Sequence, residues 1–289
     1  MTSILRYRTK GHVNTIDPIS RAIQPSGHSG RSLSRHRVEF PPPAGATPDQ
    51  DEASFYLVED GDRKEIRFHQ YGEIYRRPGL YEQLFYDRLK CQSPGKVSEI
   101  LQATLAKNGA QHSQLRVLDL GAGNGMSGEA VAKYGVARLV GVDIVPEARD
   151  AAFRDRPGLY DSYYTLDMGA LGDGEREELE AWSFDCLLTI AALGFGDIPA
   201  PVLAEGFGLV SDNAWIAFNI KDSFLDPADD GGFSRMVREL VFSDYLQLHH
   251  MERYRHRLAI DGRPLYYYAV VARKTGRPFP GDLLDGLNG

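Results

Sequence analysis

The sequence VLDLGAGNG, residues 117–125, predicts a buried strand that runs directly into a glycine-rich turn. Glycine accepts positive φ in a tight turn, leaves no Cβ in the path of a ligand, and lets the following helix close on the strand. That helix is predicted to begin near Met126. A turn of this kind lets a small cofactor lie against bare backbone.

The spacing of the glycines indicates which cofactor the turn binds. Gly121, Gly123 and Gly125 form G-x-G-x-G, whereas the dinucleotide fingerprint is G-x-G-x-x-G. Asp119, in the strand just before them, disfavours a pyrophosphate. It favours S-adenosylmethionine, because a carboxylate attracts the ammonium group of the methionine part, directly or through water. A turn without a ligand and a nicotinamide site are the two alternatives.

At these residues the chain resembles the class I S-adenosylmethionine-dependent methyltransferases, whose first motif is hydrophobic-Asp-hydrophobic followed by G-x-G-x-G. The resemblance covers about residues 117–273. It implies an α/β fold with a doubly wound, mostly parallel seven-stranded sheet, the Rossmann-like methyltransferase fold, which ends in an antiparallel hairpin. It also implies that the chain before the first strand forms a helical and hairpin lid over the cofactor.

The next two predicted strands also end in acids. The strand over 138–144 contains Asp143, 24 positions after Asp119. In a doubly wound sheet an acid at this place accepts hydrogen bonds from the ribose hydroxyls, and a second role as a cap of the next helix can coexist with it. The resemblance implies that Asp167 and Met168, after the third strand, meet the adenine amino group and ring face.

The fourth predicted strand, residues 183–190, opens with Phe-Asp, as is common in this family. Its carboxyl end, at Ile190, is expected near the methionine part of the cofactor. The segment IAALGFGD at 190–197 differs from the Asn-Pro-Pro-Tyr type found in relatives that methylate planar amino groups. Oxygen, carbon and aliphatic nitrogen remain as acceptors. The predicted cofactor contacts are Asp119, Gly121, Ala122, Gly123, Gly125, Asp143, Ile144, Asp167, Met168 and Ile190.

Composition favours one large α/β domain with additions. The chain has 289 residues, of which 42% are hydrophobic, and no apolar run approaches the roughly 20 residues of a membrane span. The formal net charge of −7 gives no general attraction to nucleic acid. Cys91 and Cys186, far apart in sequence, are expected to be packed thiols in a reducing compartment. The expected location is the cytoplasm, with organellar targeting as the alternative.

Four segments are predicted along the chain. Residues 1–50 form a basic arm, rich in Arg and Ser and expected to be disordered; a transit peptide and an anion-binding arm are the alternatives. Residues 51–112 form the lid, residues 113–275 the methyltransferase domain, and residues 276–289 a tail rich in Gly and Pro.

Within the lid we expect a hairpin with an Asp-Gly turn at 60–62 and an aromatic helical stretch over 71–86. A helix from Ser93, capped by that serine, follows and stops at 108–109. Further along, the pattern predicts a strand over 213–220, an acidic loop, a helix over 234–242, and a closing strand pair over 245–252 and 264–273.

Methyl transfer is an in-line displacement, so the protein's main task is to position the acceptor and exclude water. A hydroxyl acceptor must also lose a proton. The candidate groups are His69, Tyr71, Asp222 and His249, none of which is supported by motif spacing. The lid tyrosines either pack or close the site over the cofactor. No metal site is expected.

The sequence therefore predicts an S-adenosylmethionine-dependent methyltransferase that acts on a small molecule. A protein or RNA methyltransferase is one alternative, encouraged by the basic arm and by the pair Arg76 and Arg77, for which a solvated face is the simpler interpretation. The other alternative is a non-catalytic protein that binds S-adenosylmethionine and serves as a partner or sensor. The sequence gives no indication of the oligomeric state.

Overall fold

A computed structural model of the protein describes residues 35–41, 52–194, 197–229, 231–277 and 279. Most of the predicted basic arm and most of the predicted tail lie outside these residues. Among the described helices, none is long and apolar enough to cross a membrane.

A small antiparallel sheet precedes the main domain. It consists of β1 (Arg37–Glu39), β2 (Ser54–Glu59) and β3 (Asp62–Arg67) in that order. Asp60 and Gly61 both have positive φ, 51° and 90°, which matches the twist that a two-residue hairpin needs. The predicted hairpin is confirmed.

The expectation of disorder up to residue 50 is wrong at β1. Val38 of this strand is 7% exposed and packs with Phe55 and Leu57 of the small sheet. The arginine-rich composition hid the strand, because its apolar partners follow only after residue 52 in the sequence. The rest of residues 1–50, apart from 35–41, lies outside the described part.

Two helices and a π-helical turn continue the lid. They are α1 (Tyr71–Tyr75), the turn Glu82–Arg88 and α2 (Ser93–Lys107). The predicted cap at Ser93 is wrong, because Gln92 occupies the N-cap position and the Ser93 hydroxyl lies among buried polar side chains instead. The end of α2 at Asn108 and Gly109 is as predicted.

The main domain alternates strands and helices before it closes with a hairpin. Its elements are β4 (Arg116–Leu120), α3 (Met126–Ala132), β5 (Arg138–Asp143), α4 (Pro146–Asp155), β6 (Ser162–Thr165), α5 (Asp173–Glu180), β7 (Phe184–Thr189), α6 (Ala200–Leu209), β8 (Val210–Lys221), α7 (Gly232–Phe242), β9 (Leu246–Leu258) and β10 (Pro264–Lys274).

The seven strands are ordered β6-β5-β4-β7-β8-β10-β9. The first five run parallel, and β10 is antiparallel to both of its neighbours. This arrangement confirms the predicted doubly wound sheet. The chain winds away from β4 in both directions, so the carboxyl ends of β4 and β7 border the crevice where ligands bind in such sheets.

Apolar cores cover both faces of the sheet, which explains the near-continuous hydrophobic runs of its parallel strands. Helices α2 and α3 contribute to one core, and α6 and α7 to the other. Cys186 is buried and Cys91 half-buried, and both are free thiols, as predicted.

The closing hairpin is longer than its pattern predicted. β9 continues to Leu258, beyond the predicted end at residue 252, through a stretch rich in arginine. These polar residues hid the strand, yet Tyr254, His256 and Arg257 are all buried. The added residues carry β9 against the lid, where Leu258 donates a backbone hydrogen bond to Leu89 and His256 accepts one from Gln92.

Candidate active site

A cavity of about 510 Å³ lies at the carboxyl ends of the parallel strands. The glycine-rich turn, the ends of β5 and β7 and the loop around residues 197–199 form its walls, and the lid covers it with tyrosine rings. Its volume falls within the roughly 300–1,000 Å³ typical of small-molecule sites.

The glycine-rich turn is held on two sides. The Gly123 N–H donates to Oδ2 of Asp143 over 2.8 Å, and the Gly123 carbonyl accepts from the Tyr163 hydroxyl over 2.7 Å. Gly123 has φ of 54°, and a Cβ there would lie 2.6 Å from the Tyr75 hydroxyl. Position 123 therefore requires glycine for two reasons: the positive φ and the close approach of the Tyr75 hydroxyl.

Gly125 has a different role from the other two glycines. It lies outside the cavity wall, has φ of 90°, and precedes α3 as its N-cap. A Cβ at Gly125 would lie 3.1–3.2 Å from atoms of Leu159, Arg156 and Tyr160. This glycine lets the helix close against the neighbouring elements.

Asp143, at the end of β5, lines the cavity and organises its wall. Its Oδ1 accepts from the Val145 N–H over 2.9 Å, while Oδ2 holds Gly123. Asp143 is not itself the cap of the next helix. Val145 is the N-cap of α4, and Asp143 accepts the hydrogen bond from its amide. Burial raises the pKa of Asp143, and the hydrogen bonds from the backbone oppose that rise.

Four further predicted contacts also line this cavity: Ile144, Asp167, Met168 and Ile190. Ile144 is 61% exposed, which is unusual for a large apolar side chain and suits a flat ring packed against it. Asp167 accepts from the Gly169 N–H over 2.9 Å and so fixes the turn that carries Met168.

Asp119 is placed beneath the turn and not in the cavity wall. Its side chain is fully buried, Oδ2 accepts from the Tyr160 hydroxyl over 2.8 Å, and Oδ1 has no hydrogen-bond partner. Burial raises the pKa of Asp119 to about 7, chiefly because the ionised form is desolvated. Any attraction of this carboxyl for the cofactor's ammonium group therefore acts through the turn or through water.

The lid is fastened to the glycine-rich turn by an ionic network. Oε1 of Glu82 accepts from Asn124 over 2.8 Å and from Arg156 over 3.0 Å, and Arg156 also donates to the Asn124 carbonyl over 2.9 Å. The Arg156 side chain is only 11% exposed. The shielded pair between Glu82 and Arg156 joins the lid to α4.

The tyrosines of the lid form one cluster above the cavity. Tyr75 stacks on Tyr71 with ring centres 6.0 Å apart and lies 5.1 Å from Tyr81. Burial raises the pKa of Tyr71, with Asp197 adding to the effect, so its hydroxyl stays protonated and donates. Tyr71 and Tyr75 thus both pack and line the cavity.

His69 and Asp197 meet in the wall of the cavity. Nδ1 of His69 lies 2.7 Å from Oδ1 of Asp197, and the Tyr71 hydroxyl donates to Oδ2 over 3.2 Å. Both side chains are shielded, with 24% and 22% exposure. Because the carboxylate accepts from Nδ1–H, Nε2 is the basic nitrogen of the ring.

The other two proton-acceptor candidates lie elsewhere. Asp222 forms an ion pair with Arg253 over 2.8 Å, and His249 packs against Trp215 with ring centres 5.0 Å apart. Neither lines the cavity. Arg76 and Arg77 both form ion pairs with acids of this chain. Arg76, with 56% of its side chain exposed, fits the expected solvated face, whereas Arg77, with 19% exposed, is largely shielded.

The cavity floor contains a strained residue held by a buried amide. Ala191 lines the cavity with φ of 57°, and its N–H donates to Oδ1 of Asn219 over 2.6 Å. Asn219 in turn donates to Ser93 and Tyr254, and Ser93 also bonds His256. This network ties the lid helix α2 to the end of β7.

Sequence reasoning missed Asp197, Asn219 and Tyr163. Asp197 follows a glycine-containing loop and resembles ordinary turn chemistry. Asn219 offered a usable signal, because it is an amide inside an apolar strand and such a residue needs buried partners.

The donor set fits S-adenosylmethionine. The turn offers bare backbone, and Asp143 places a carboxylate in the cavity wall at the end of β5. Within the described residues, no group of three or more His, Cys, Asp and Glu side chains is arranged to hold a metal ion.

Comparison with known proteins adds a family match. A family model described as a methyltransferase domain matches residues 118–218, from the first strand of the main sheet into β8. No curated protein sequence matches the chain.

Solved structures of low identity are similar over much of their length. The N-methyltransferase NodS from Bradyrhizobium japonicum WM9 with S-adenosyl-L-homocysteine is 12% identical, with a TM-score of 0.47 over 72% of this chain and 97% of NodS. Magnesium protoporphyrin IX methyltransferase from Synechocystis PCC 6803 with bound S-adenosylmethionine is 14% identical, with a TM-score of 0.44 over 63% of this chain and 79% of the other.

The family match covers the glycine-rich turn, Asp143, Asp167 and Asp197, and the sheet has the predicted seven strands, mostly parallel, with a closing antiparallel hairpin. Residues 118–218 of the chain therefore form a methyltransferase domain, and the cavity at its glycine-rich turn fits S-adenosylmethionine as the cofactor.

Proposed function

We propose that this methyltransferase acts on a small molecule and that the accepting atom is an oxygen that loses a proton during transfer. The pair of His69 and Asp197 in the cavity wall carries this proposal. A base is needed for an acceptor that carries a proton, and an imidazole oriented by a carboxylate is a suitable one near neutral pH. Carbon and aliphatic nitrogen are the other acceptor atoms.

The enclosure of the cavity supports a small acceptor. Cofactor and acceptor share about 510 Å³ beneath the tyrosines of the lid. Glu82, Asn124 and Arg156 fasten the lid at one edge, and Asn219 holds the floor at Ala191. A folded RNA or protein segment needs an open face, so the enclosure disfavours these two classes.

When bound, the cofactor supplies a methyl group activated by positive sulfur. The chain's own residues do the rest. Asp143, Gly123 and Ile144 hold the nucleoside end, the lid excludes water, and Nε2 of His69 takes the acceptor's proton while Asp197 stabilises the resulting imidazolium. The hydroxyl of Tyr71 keeps Asp197 in place.

Transfer of labelled methyl groups tests the proposal. In three separate reactions the protein is incubated with methyl-labelled S-adenosylmethionine and one fraction: metabolites, protein or RNA. Label in an alkali-stable, O-linked form in the metabolite fraction is the expected result. Label only in protein or RNA would overturn the small-molecule assignment.

Calorimetry with S-adenosyl-L-homocysteine separates the non-catalytic alternative. Binding of this product without label in any fraction favours a partner or sensor protein. That alternative has no observation of its own in the cavity, whereas the pair of His69 and Asp197 is the arrangement that proton transfer requires.

A further inference from the structure

Arg257, near the end of β9, is a buried cation. It is 4% exposed, its Nη1 donates to the Leu258 carbonyl over 2.9 Å, and its guanidinium carbon lies 5.5 Å from the centre of the Phe68 ring. It forms no ion pair with an acidic side chain of the described residues. A buried charge without a partner is costly and is kept where it has a use.

The guanidinium lines a second, smaller chamber that borders the main cavity. This chamber has a volume of about 40 Å³ and shares five lining residues with the main cavity: His69, Tyr71, Tyr81, Ala191 and Asp197. One water needs roughly 10–15 Å³ on this scale, so the chamber accommodates a group of about three non-hydrogen atoms. A carboxylate has that size.

A β-bulge aims Arg257 into the chamber. Tyr266 of β10 is opposite Arg255 and Leu265 is opposite Arg257, so His256 is an extra residue in β9. Regular alternation would place His256 and Arg257 on opposite faces, yet both line the chamber. Bulges commonly redirect a side chain next to a functional site.

The chemistry of the chamber favours a carboxylate on an apolar body. A guanidinium binds a carboxylate through two parallel hydrogen bonds, and it remains protonated even though burial lowers the pKa of Arg257. Phe85 and the lid tyrosines supply ring faces around it. Asp197 repels a second anion, but its oxygens already accept from His69 and Tyr71, which leaves the Arg257 side for the ligand.

We propose that Arg257 binds a carboxylate of the methyl acceptor, which is therefore a small acid with an aromatic or other apolar body whose hydroxyl faces His69. This inference rests on the proposed small-molecule function. The cofactor also carries a carboxylate, in its amino-acid part, so the test must distinguish these two sources.

The first test uses the unmodified protein saturated with S-adenosyl-L-homocysteine, which supplies the cofactor's own carboxylate. Benzoate and its neutral analogue benzamide are then titrated by calorimetry. Benzoate is expected to bind about 30-fold more tightly or better, as for a buried charge pair. Equal affinities for the two probes would overturn the inference.

Variants assign the effect to Arg257. Arg257→Gln should remove the preference for benzoate, Arg257→Lys should keep part of it, and Arg253→Gln, an exposed arginine on the same strand, should leave it unchanged. A preference that survives Arg257→Gln would overturn the assignment. If Arg257→Gln does not fold, the comparison of benzoate with benzamide in the unmodified protein still decides whether the site prefers a carboxylate.

A comparison with 5′-methylthioadenosine, which lacks the amino-acid part, tests whether Arg257 binds the carboxylate of the cofactor and not that of the acceptor. Loss of S-adenosyl-L-homocysteine affinity in Arg257→Gln, with that of 5′-methylthioadenosine retained, would assign the carboxylate to the cofactor and overturn the inference. None of these titrations needs turnover. A protein that prefers benzoate but transfers no label would contradict the proposed function while the anion site stands.

Discussion

His69 of the lid and Asp197 of the main domain lie 2.7 Å apart, although 128 positions separate them in the sequence. The contact closes the lid onto the loop after β7 and at the same time orients an imidazole in the cavity wall. One hydrogen bond thus joins the lid to the main domain at the group that we propose as the proton acceptor.

Replacement of the imidazole tests its role as a base. His69→Asn should lower kcat about 100-fold or more, because the acceptor's proton then passes to water. Asp197→Asn should cause a smaller loss.

A matched control for Asp197 is Asp244→Asn, since the Asp244 side chain is 80% exposed and pairs with Arg277 at the surface. Its kinetics should be unchanged. A His69→Asn variant that keeps the kcat of the unmodified enzyme would contradict the assignment of the base.

Close approach at the glycine-rich turn can be separated from backbone strain. Gly123→Ala places a Cβ 2.6 Å from the Tyr75 hydroxyl at a φ of 54°, whereas Gly135→Ala introduces a Cβ into open space at a φ of 74°. Both variants should lose about 1–2 kcal/mol of stability from the left-handed backbone. Only Gly123→Ala should also lose binding of S-adenosyl-L-homocysteine, measured by calorimetry.

The acid at the end of β5 should determine nucleoside affinity. Asp143→Asn replaces a carboxylate that can accept from ribose hydroxyls and should weaken binding of S-adenosyl-L-homocysteine by about 10- to 100-fold, as expected for hydrogen bonds to a charged group. Asp161→Asn is the matched control, because Asp161 also accepts from a backbone amide, that of Leu139, but lies outside the cavity wall. Equal losses in both variants would indicate a purely structural role for Asp143.

Stability should fall as the pH rises because of Asp119. Its pKa is about 7 in the folded protein, above the ordinary 3.8, so the folded state holds a proton that the unfolded state has already released between these values. The free energy of unfolding should therefore decrease from about pH 4 to pH 7, by up to about 4 kcal/mol for this group alone. Asp143, whose pKa is also raised, adds in the same direction.

Urea unfolding at pH 5 and pH 8 measures this dependence. Asp119→Asn has no proton to lose and should show a smaller difference between the two pH values. The same variant examines the attraction for the cofactor's ammonium group: affinity for S-adenosyl-L-homocysteine should rise through pH 7 in the unmodified protein and stay flat in Asp119→Asn.

The strand and helix pattern of the main domain was predictable because its signals are local. The turn at 121–125, the acid at Asp143 and the fourth strand each combine a hydrophobic run with a characteristic polar residue nearby. The hairpin at Asp60 and Gly61 follows the same rule. The strand at Arg37–Glu39 was missed because the apolar partners of Val38 follow only after residue 52. The far half of β9 was missed because its polar residues are buried by partners distant in sequence.

The sequence alone determined the fold class and the cofactor, since residues 117–143 carry both within one strand, one turn and the next strand. Only the tertiary structure brought together the groups on which the proposed acceptor site rests. His69, Asp197 and Arg257 come from the lid, the loop after β7 and a bulge in β9, and no local pattern joins them. Their chemistry depends on burial and proximity, which arise only when the lid packs on the sheet.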